Sequence, residues 1–408
     1  MIARFAAFCL LAAALPTAAA EVFPYELRYD LTLKPGSDRA EIVLTLGEGA
    51  QHVRWMRFSV DPERQQGFDA DGELESDGEH LTWTPPDGGG QLKYTATVSH
   101  RRAGGRFDAR MTDDWALFRG DDVFPSARLL QEAGAEAEAE LHVYLPQGWS
   151  FVAPYERLRP GVYRIENPAR GFDRPTGWIA AGRLGVRRER IARVHVAVAG
   201  PLNQGVRRLD VLAFLNWNLP RLRALVDEMP ERLLLVSAGD EMWRGGLSGP
   251  DSLYLHADRP LLSENGTSTL MHELVHVVTG LAATDGNDWI VEGLAEYYAL
   301  KVMWRSGTIS ERRYKSAFEH LEDWGGDLEL ADLAVERSRG PVTARAVGIL
   351  RAVDLEIHRE TDGEHSLDEV LRHLVAAGKK VDLAGLRKAV QAAMGSPAKS
   401  LGDVPSGS

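Results

Sequence analysis

The chain has very little cysteine: one residue, Cys9, among 408. Disulfides and cysteine metal sites are therefore not expected to stabilise it. Basic residues are also outnumbered, since 47 Lys and Arg face 59 Asp and Glu, which gives a formal net charge of −12. Nucleic acid needs a basic surface and is not an expected partner. No stretch beyond the first twenty residues is long and apolar enough to predict a membrane span.

The first twenty residues have the pattern of a signal peptide. Arg4 supplies the positive start, Phe5 to Leu15 form an apolar core, and Ala18 to Ala20 offer small residues for cleavage. The sequence therefore predicts export, to the periplasm or the medium, with cleavage near Ala20. The remainder has the size of two or three domains.

One apolar stretch carries a metal-binding pattern, His272-Glu273-Leu274-Val275-His276. Positions i and i+4 of a helix share one face, so His272 and His276 can direct two imidazole nitrogens at one point. Zinc accepts such a pair and needs a third protein ligand. Glu273 is then placed to act as a general base on a water molecule. Ser268 or Thr269 can cap this helix, and Gly280 can end it.

A second predicted helix supplies the third ligand. Glu292 and Glu296 lie one turn apart between apolar residues. Packing explains the apolar residues but not two carboxylates on one stripe. Glu292 as a zinc ligand, with Glu296 orienting a ligand histidine, explains both. The sequence therefore predicts one Zn²⁺ per chain, against the alternative of a chance motif with core histidines.

The two segments together resemble the gluzincin metallopeptidases. The His-Glu-x-x-His pattern followed by Trp289, Glu292 and Gly293 is most similar to the glycyl aminopeptidase family, and more distantly to the aminopeptidase N family. The resemblance implies that Glu292 is the third zinc ligand and that the substrate is a peptide or protein. It extends to Gly245, Gly246 and Leu247, which resemble the substrate-binding strand of these families and imply that these residues, with Ser248 after them, can bind substrate.

Two departures leave the activity open. These families place a Glu that holds the substrate amino group where this chain has Ser248, and Asp251 is the nearby substitute. Their oxyanion-stabilising tyrosine is missing from residues 343–346, which leaves Tyr297, Tyr298 and Tyr314 as candidates. The alternatives are an endopeptidase on the same site, or a zinc-holding binding or scaffold protein without catalysis.

The predicted fold class is multidomain α+β. Residues 21–205 alternate apolar and polar residues and predict an antiparallel β domain. Residues 206–306 are expected to form the gluzincin (thermolysin-like) catalytic domain, 307–395 a helical region, and 396–408 a disordered tail. Within these, residues 133–140 are interpreted as a solvated loop, and His256 as an exposed strand residue.

Overall fold

The computed structural model describes residues 22–167, 171–378 and 380–404. The predicted signal peptide, residues 1–20, lies outside them. The described chain is mixed α+β, with N-terminal sheets, a further sheet covered by helices, and a helical C-terminal part. This confirms the predicted fold class.

The N-terminal part consists of strands and one short helix. In chain order these are β1 (Phe23–Lys34), β2 (Arg39–Leu46), β3 (Val53–Ser59), β4 (Gln65–Ala70), β5 (Glu73–Ser76), β6 (His80–Thr84), β7 (Gly90–Thr97), β8 (His100–Arg101), β9 (Phe107–Met111), β10 (Trp115–Arg119), α1 (Gly120–Val123), β11 (Ala127–Gln131), β12 (Ala135–Tyr144), β13 (Ser150–Val152), β14 (Glu156–Arg159), β15 (Val162–Ile165) and β16 (Trp178–Gly182).

These strands form three sheets around one apolar core. Their orders are β14-β15-β12-β1-β2-β7-β4, β13-β16-β10-β9-β8 and β11-β3-β6-β5. Pairing is antiparallel as predicted, except that β1 runs parallel to β12. The loop predicted for residues 133–140 was wrong for most of its length, because β12 begins at Ala135. Ala135 and Ala139 are buried while Glu136 and Glu138 are exposed, so alanine takes the core positions of this strand.

The site-bearing part follows as a sheet with helices, which continue to the end of the described chain. Its elements are β17 (Leu184–Ile191), β18 (Val194–Pro201), α2 (Arg208–Arg223), β19 (Arg232–Val236), β20 (Gly246–Gly249), β21 (Ser252–Leu255), α3 (Thr269–Thr279), α4 (Asp288–Arg305), α5 (Glu311–Gly325), α6 (Pro341–Glu360), α7 (Leu367–Ala377) and α8 (Leu383–Met394).

The sheet of this part has the order β17-β18-β19-β21-β20, with β20 at its edge and α3 lying against β20 and β21. β17 and β18 belong to it, although the sequence placed them in the N-terminal β domain. Period-two alternation shows that a segment is a strand but not which sheet it joins. The domain bounds themselves stay a prediction.

Trp178 fixes the N-terminal part to the edge of this sheet. Its ring is fully buried and donates through Nε1 to the Leu247 carbonyl at 2.9 Å, and its backbone N–H donates to Ser252 Oγ at 2.7 Å. Trp178 of β16 thereby bonds to both strands of the β20–β21 hairpin.

The C-terminal residues pack onto α6. Lys399 donates its backbone N–H to the Glu356 carboxylate at 2.8 Å, and Leu401 and Val404 are 1% and 3% exposed. The predicted disordered tail is therefore wrong for residues 396–404. The segment was predicted to be disordered because it is mostly polar, but two of its apolar residues, Leu401 and Val404, pack into the core.

Across the described residues, the structure contains no helix with both the length and the apolar character needed to cross a membrane.

Candidate metal centre and its cleft

Helix α3 has the ends that the sequence predicted. Ser268 accepts a hydrogen bond from the Met271 backbone N–H at 3.3 Å, and Gly280 ends the helix with a φ of 59°. Left-handed backbone of this kind favours glycine. The apolar residues of α3 are buried except Val277, which is half-buried; the buried ones are Leu270, Met271, Leu274, Val275 and Val278. The opposite face therefore presents His272, Glu273 and His276 to the cleft.

The imidazoles converge on Glu292 of α4. The Nε2 atoms of His272 and His276 are 3.1 Å apart. Glu292 Oε2 lies 3.2 Å from His272 Nε2, and Glu292 Oε1 lies 3.4 Å from His276 Nε2. A tetrahedral zinc ion with bonds of about 2.0–2.1 Å separates its ligand atoms by about 3.3 Å. The three side chains thus fit zinc in both donor type and spacing.

The protonation of these side chains follows from their mutual contacts. Burial by itself would lower the pKa of His272, but hydrogen bonds to Glu292 and Glu296 raise it well above its usual range. Burial would raise the pKa of Glu292, but hydrogen bonds from His272 and His276 hold it well below its usual range. Without a metal, the cluster is an ion pair; a metal would take the place of its proton.

Glu296 contacts His272 from behind. Its Oε2 is 3.0 Å from His272 Nδ1, on the ring side opposite Glu292. A proton on Nδ1 donated to this carboxylate leaves Nε2 as a free lone pair directed at the other donors. The position predicted for Glu296 from helical spacing is therefore the one found.

Glu273 lies against the edge strand. A Cβ on Gly246 would stand 2.7 Å from Glu273 Cγ and 2.8 Å from Thr269 Cγ2, closer than carbon atoms pack. Glycine is therefore required for β20 to approach α3 this closely. The approach places the Glu273 carboxylate at the cleft wall between the histidines and the strand.

The cleft in front of the histidines has a volume of about 980 Å³. The predicted residues Gly246, Leu247 and Ser248 line it together with the histidines, Glu273 and Glu292. Gly245 is not among the lining residues. Its other residues are Arg102, Ala103, Gly104, Arg106, Trp243, Leu281, Ala282, Ala283, Asp288, Val291, Arg337, Ser338 and Arg339.

The candidate substitutes for missing family residues lie elsewhere. Asp251 sits in the turn between β20 and β21 and lines an adjoining depression of about 560 Å³ with Glu166. The lining of the cleft contains no tyrosine among the described residues. Tyr297 and Tyr298 are buried, and Tyr297 donates to Asp354 behind α4.

His256 is buried, so its predicted exposure was wrong. Its side chain has 0% exposure, and its Nδ1 accepts the Asp258 backbone N–H at 3.1 Å. Burial lowers the pKa of this histidine. The reason is topological, because β21 lies between β19 and β20 and its end is covered from both sides.

Sequence reasoning missed the four arginines of the cleft. Arg102 and Arg106 come from the β8–β9 loop, and Arg337 and Arg339 from the segment before α6. Neither pair lies near the zinc motif in the sequence. The one local signal is that each pair is two arginines a few residues apart in a segment between predicted elements.

Among comparisons with known proteins, only those with solved structures show similarity, and they concern the fold of the chain. No family model matches the chain, and no curated protein matches it. Among solved structures, an aminopeptidase N family protein from Idiomarina loihiensis has a TM-score of 0.65 at 16% identity, over 86% of this chain and 70% of that one. An M1 zinc metallopeptidase from Deinococcus radiodurans has a TM-score of 0.58 at 16% identity, over 94% of this chain and 92% of that one.

A further solved structure is a variant of a two-domain M1 zinc metallopeptidase bound to L-arginine, with a TM-score of 0.61 at 16% identity, over 94% of this chain and 92% of that one. Similarity at this level concerns the arrangement of the chain. The protein therefore has the fold of these two-domain zinc metallopeptidases.

Proposed function

We propose that the protein is an exported, zinc-dependent peptidase with Glu273 as general base. The observation that carries the proposal is the spacing of 3.1 to 3.4 Å among the donor atoms of His272, His276 and Glu292, in a cleft that Glu273 also lines. Solved structures of the same fold support it, because they are described as zinc metallopeptidases, one with a Tyr-Ser-Ala substrate. The signal-peptide pattern of residues 1–20, outside the described residues, supports export.

Each side chain has a defined role in this proposal. When bound, zinc supplies a Lewis acid that polarises the scissile carbonyl and makes a nearby water more acidic. Glu273 takes a proton from that water as the water oxygen adds to the carbonyl carbon, and it delivers the proton to the leaving nitrogen when the C–N bond then breaks and the C=O bond reforms. Glu296 keeps the His272 ring in the orientation that faces the metal.

Metal content tests the ligand set. The purified wild type should hold one zinc per chain, and His276→Ala or Glu292→Ala should lose most of it. Full zinc occupancy in either variant would remove that residue as a ligand. Arg312→Ala, an exposed residue of α5 outside the cleft, serves as the matched control and should keep its zinc.

Catalysis is tested separately with Glu273→Gln. This variant should fold and bind zinc but lose nearly all peptide hydrolysis, because an amide cannot accept the proton. Hydrolysis at the wild-type rate would exclude Glu273 as the base. A wild type that binds zinc and hydrolyses no peptide would instead favour the scaffold alternative.

Ser248 bears on whether the protein requires a free amino end in its substrate or also cleaves blocked and internal peptide bonds. An aminopeptidase must give the substrate ammonium a charged partner, since a desolvated ammonium without one costs several kcal/mol. Ser248 brings a neutral hydroxyl to the cleft, and Asp251 lies in the adjoining depression. We therefore expect acetylated peptides to be cleaved at least as well as free ones. Loss of cleavage on acetylation would identify an aminopeptidase that uses another acid.

A further inference from the structure

The cleft carries more positive than negative side chains, although the chain is acidic overall. Its charged lining residues are Arg102, Arg106, Arg337 and Arg339 against Glu273, Asp288 and Glu292. Glu292 is paired with the histidines, and Asp288 accepts the Ser338 backbone N–H at 2.6 Å. A cleft lined with an excess of positive charge raises the local concentration of anionic groups, so this lining favours an anionic ligand.

One arginine wall is built on the β8–β9 loop. Arg102 lies over the Trp243 ring, with its guanidinium carbon 4.4 Å from the ring centroid. Arg106 is 3.0 Å from Asp240 and remains 40% exposed. Backbone hydrogen bonds join this loop to the chain at Phe107, which donates to the Glu241 carbonyl and accepts from Trp243. These arginines are therefore fixed in place, and their charge is partly used inside the protein.

The second arginine pair of the cleft is not neutralised. Arg337 and Arg339 are exposed, and neither has an ion-pair partner among the described residues. Ser338 between them is 6% exposed, and its hydroxyl has no hydrogen-bond partner there. The hydrogen bond from Ser338 to Asp288 anchors this segment at the start of α4, the helix that carries Glu292. Two guanidinium groups and a buried hydroxyl thus line the same cleft as the three candidate ligands, with hydrogen-bond donors that have no partner among the described residues.

We propose that Arg337, Ser338 and Arg339 select peptide substrates with aspartate or glutamate side chains beside the scissile bond. This inference rests on the proposed peptidase function and names its substrate class. Guanidinium groups match carboxylates in geometry as well as charge. The absence of a carboxylate at Ser248 fits the same conclusion, because the serine hydroxyl offers no charge to a basic residue.

Two peptides that differ only in Asp against Asn test the selection without a change of shape. We expect the wild type to cleave the Asp peptide with a kcat/KM up to about fivefold higher than the Asn peptide, and this ratio to fall as salt is added. In Arg337→Gln/Arg339→Gln the ratio should approach one. Arg312→Gln removes an exposed arginine outside the cleft and should keep the wild-type ratio.

Binding gives a readout that does not depend on turnover. Zinc-loaded Glu273→Gln should bind a fluorescein-labelled Asp peptide more tightly than its Asn twin, as measured by anisotropy. If the wild type cleaves both peptides equally and Glu273→Gln binds both equally, acidic selection is overturned while the peptidase stands. If no peptide is cleaved but the Asp peptide still binds more tightly, the proposed function fails and the recognition of acidic peptides holds.

Discussion

Gly293 connects the packing of α4 to the geometry of the metal centre, because it follows Glu292 directly in the chain. A Cβ at this position would lie 2.8 Å from Ala346 Cβ and 3.0 Å from Leu350 Cδ1 on α6. Carbon atoms pack at about 3.5–4.0 Å, so Gly293→Ala must separate the helices by about 1 Å. Overpacking costs about 1–3 kcal/mol, while alanine gains about 1 kcal/mol in helix propensity. The expected net loss of stability is therefore about 0–2 kcal/mol.

The effect on zinc should be larger than the effect on stability. Zinc ligand distances tolerate about 0.2 Å, and a shift of about 1 Å in the backbone beside Glu292 exceeds that range. We expect the zinc affinity of Gly293→Ala to fall at least about tenfold, or about 1.4 kcal/mol. Denaturant unfolding measures the stability, and competition with a chelator measures the zinc affinity.

A matched glycine on α6 separates packing from helix propensity. A Cβ on Gly348 would meet Glu322 Cγ at 3.8 Å, an ordinary contact. Gly348→Ala should therefore raise the free energy of unfolding by up to about 1 kcal/mol and leave zinc affinity unchanged. Adding Ala346→Gly to Gly293→Ala should recover part of the zinc affinity. Wild-type zinc affinity in the single variant Gly293→Ala would show that the contact with α6 does not set the position of Glu292.

Three further results are expected. In the zinc-free protein, the raised pKa of His272 stabilises the fold below pH 6.5, and this contribution is lost as pH rises through the folded pKa. The lowered pKa of Glu292 stabilises the fold above pH 4.5, and this contribution is lost as pH falls through the folded pKa. Zinc must displace the His272 proton, so chelator competition should show zinc affinity rising from pH 6 to pH 8. Lys301→Met leaves Asp354 buried without its ammonium at 3.1 Å and should cost about 3–5 kcal/mol in denaturant unfolding, and an unchanged midpoint would contradict this. Deleting residues 396–408 removes two buried side chains and should lower the free energy of unfolding by about 3–5 kcal/mol in denaturant unfolding. An unchanged free energy of unfolding would show that these side chains do not contribute to the core.

The sequence brought together the side chains of the candidate metal centre because their geometry is local. Two histidines one turn apart share a face in any helix, and the position of Glu296 behind His272 follows from the same periodicity in α4. The ends of α3 were predictable for the same reason, since Ser268 and Gly280 act on adjacent backbone.

Features that depend on distant parts of the chain were not predictable. The arginines of the cleft reach it from two separate segments, and no local pattern relates Arg102 to Arg337. Burial of His256 depends on the strands on either side of β21. Strands β17 and β18 have the same alternation in either sheet, and only pairing with β19 assigns them. These features depend on tertiary contacts, and the periodicity of a sequence carries no information about such contacts.

The position of β20 at the sheet edge determines which of its amides are free. His256 donates its backbone N–H to the Gly245 carbonyl, and Leu247 lies opposite Tyr254. Bonded positions alternate along an antiparallel ladder, so Gly246 and Ser248 direct their N–H and C=O groups away from β21. The Ser248 amide should exchange quickly with deuterated solvent in the free protein, and the buried Gly246 amide more slowly. A peptide that joins the sheet as an added strand slows exchange at Ser248, whereas one held by its side chains alone leaves that amide unprotected.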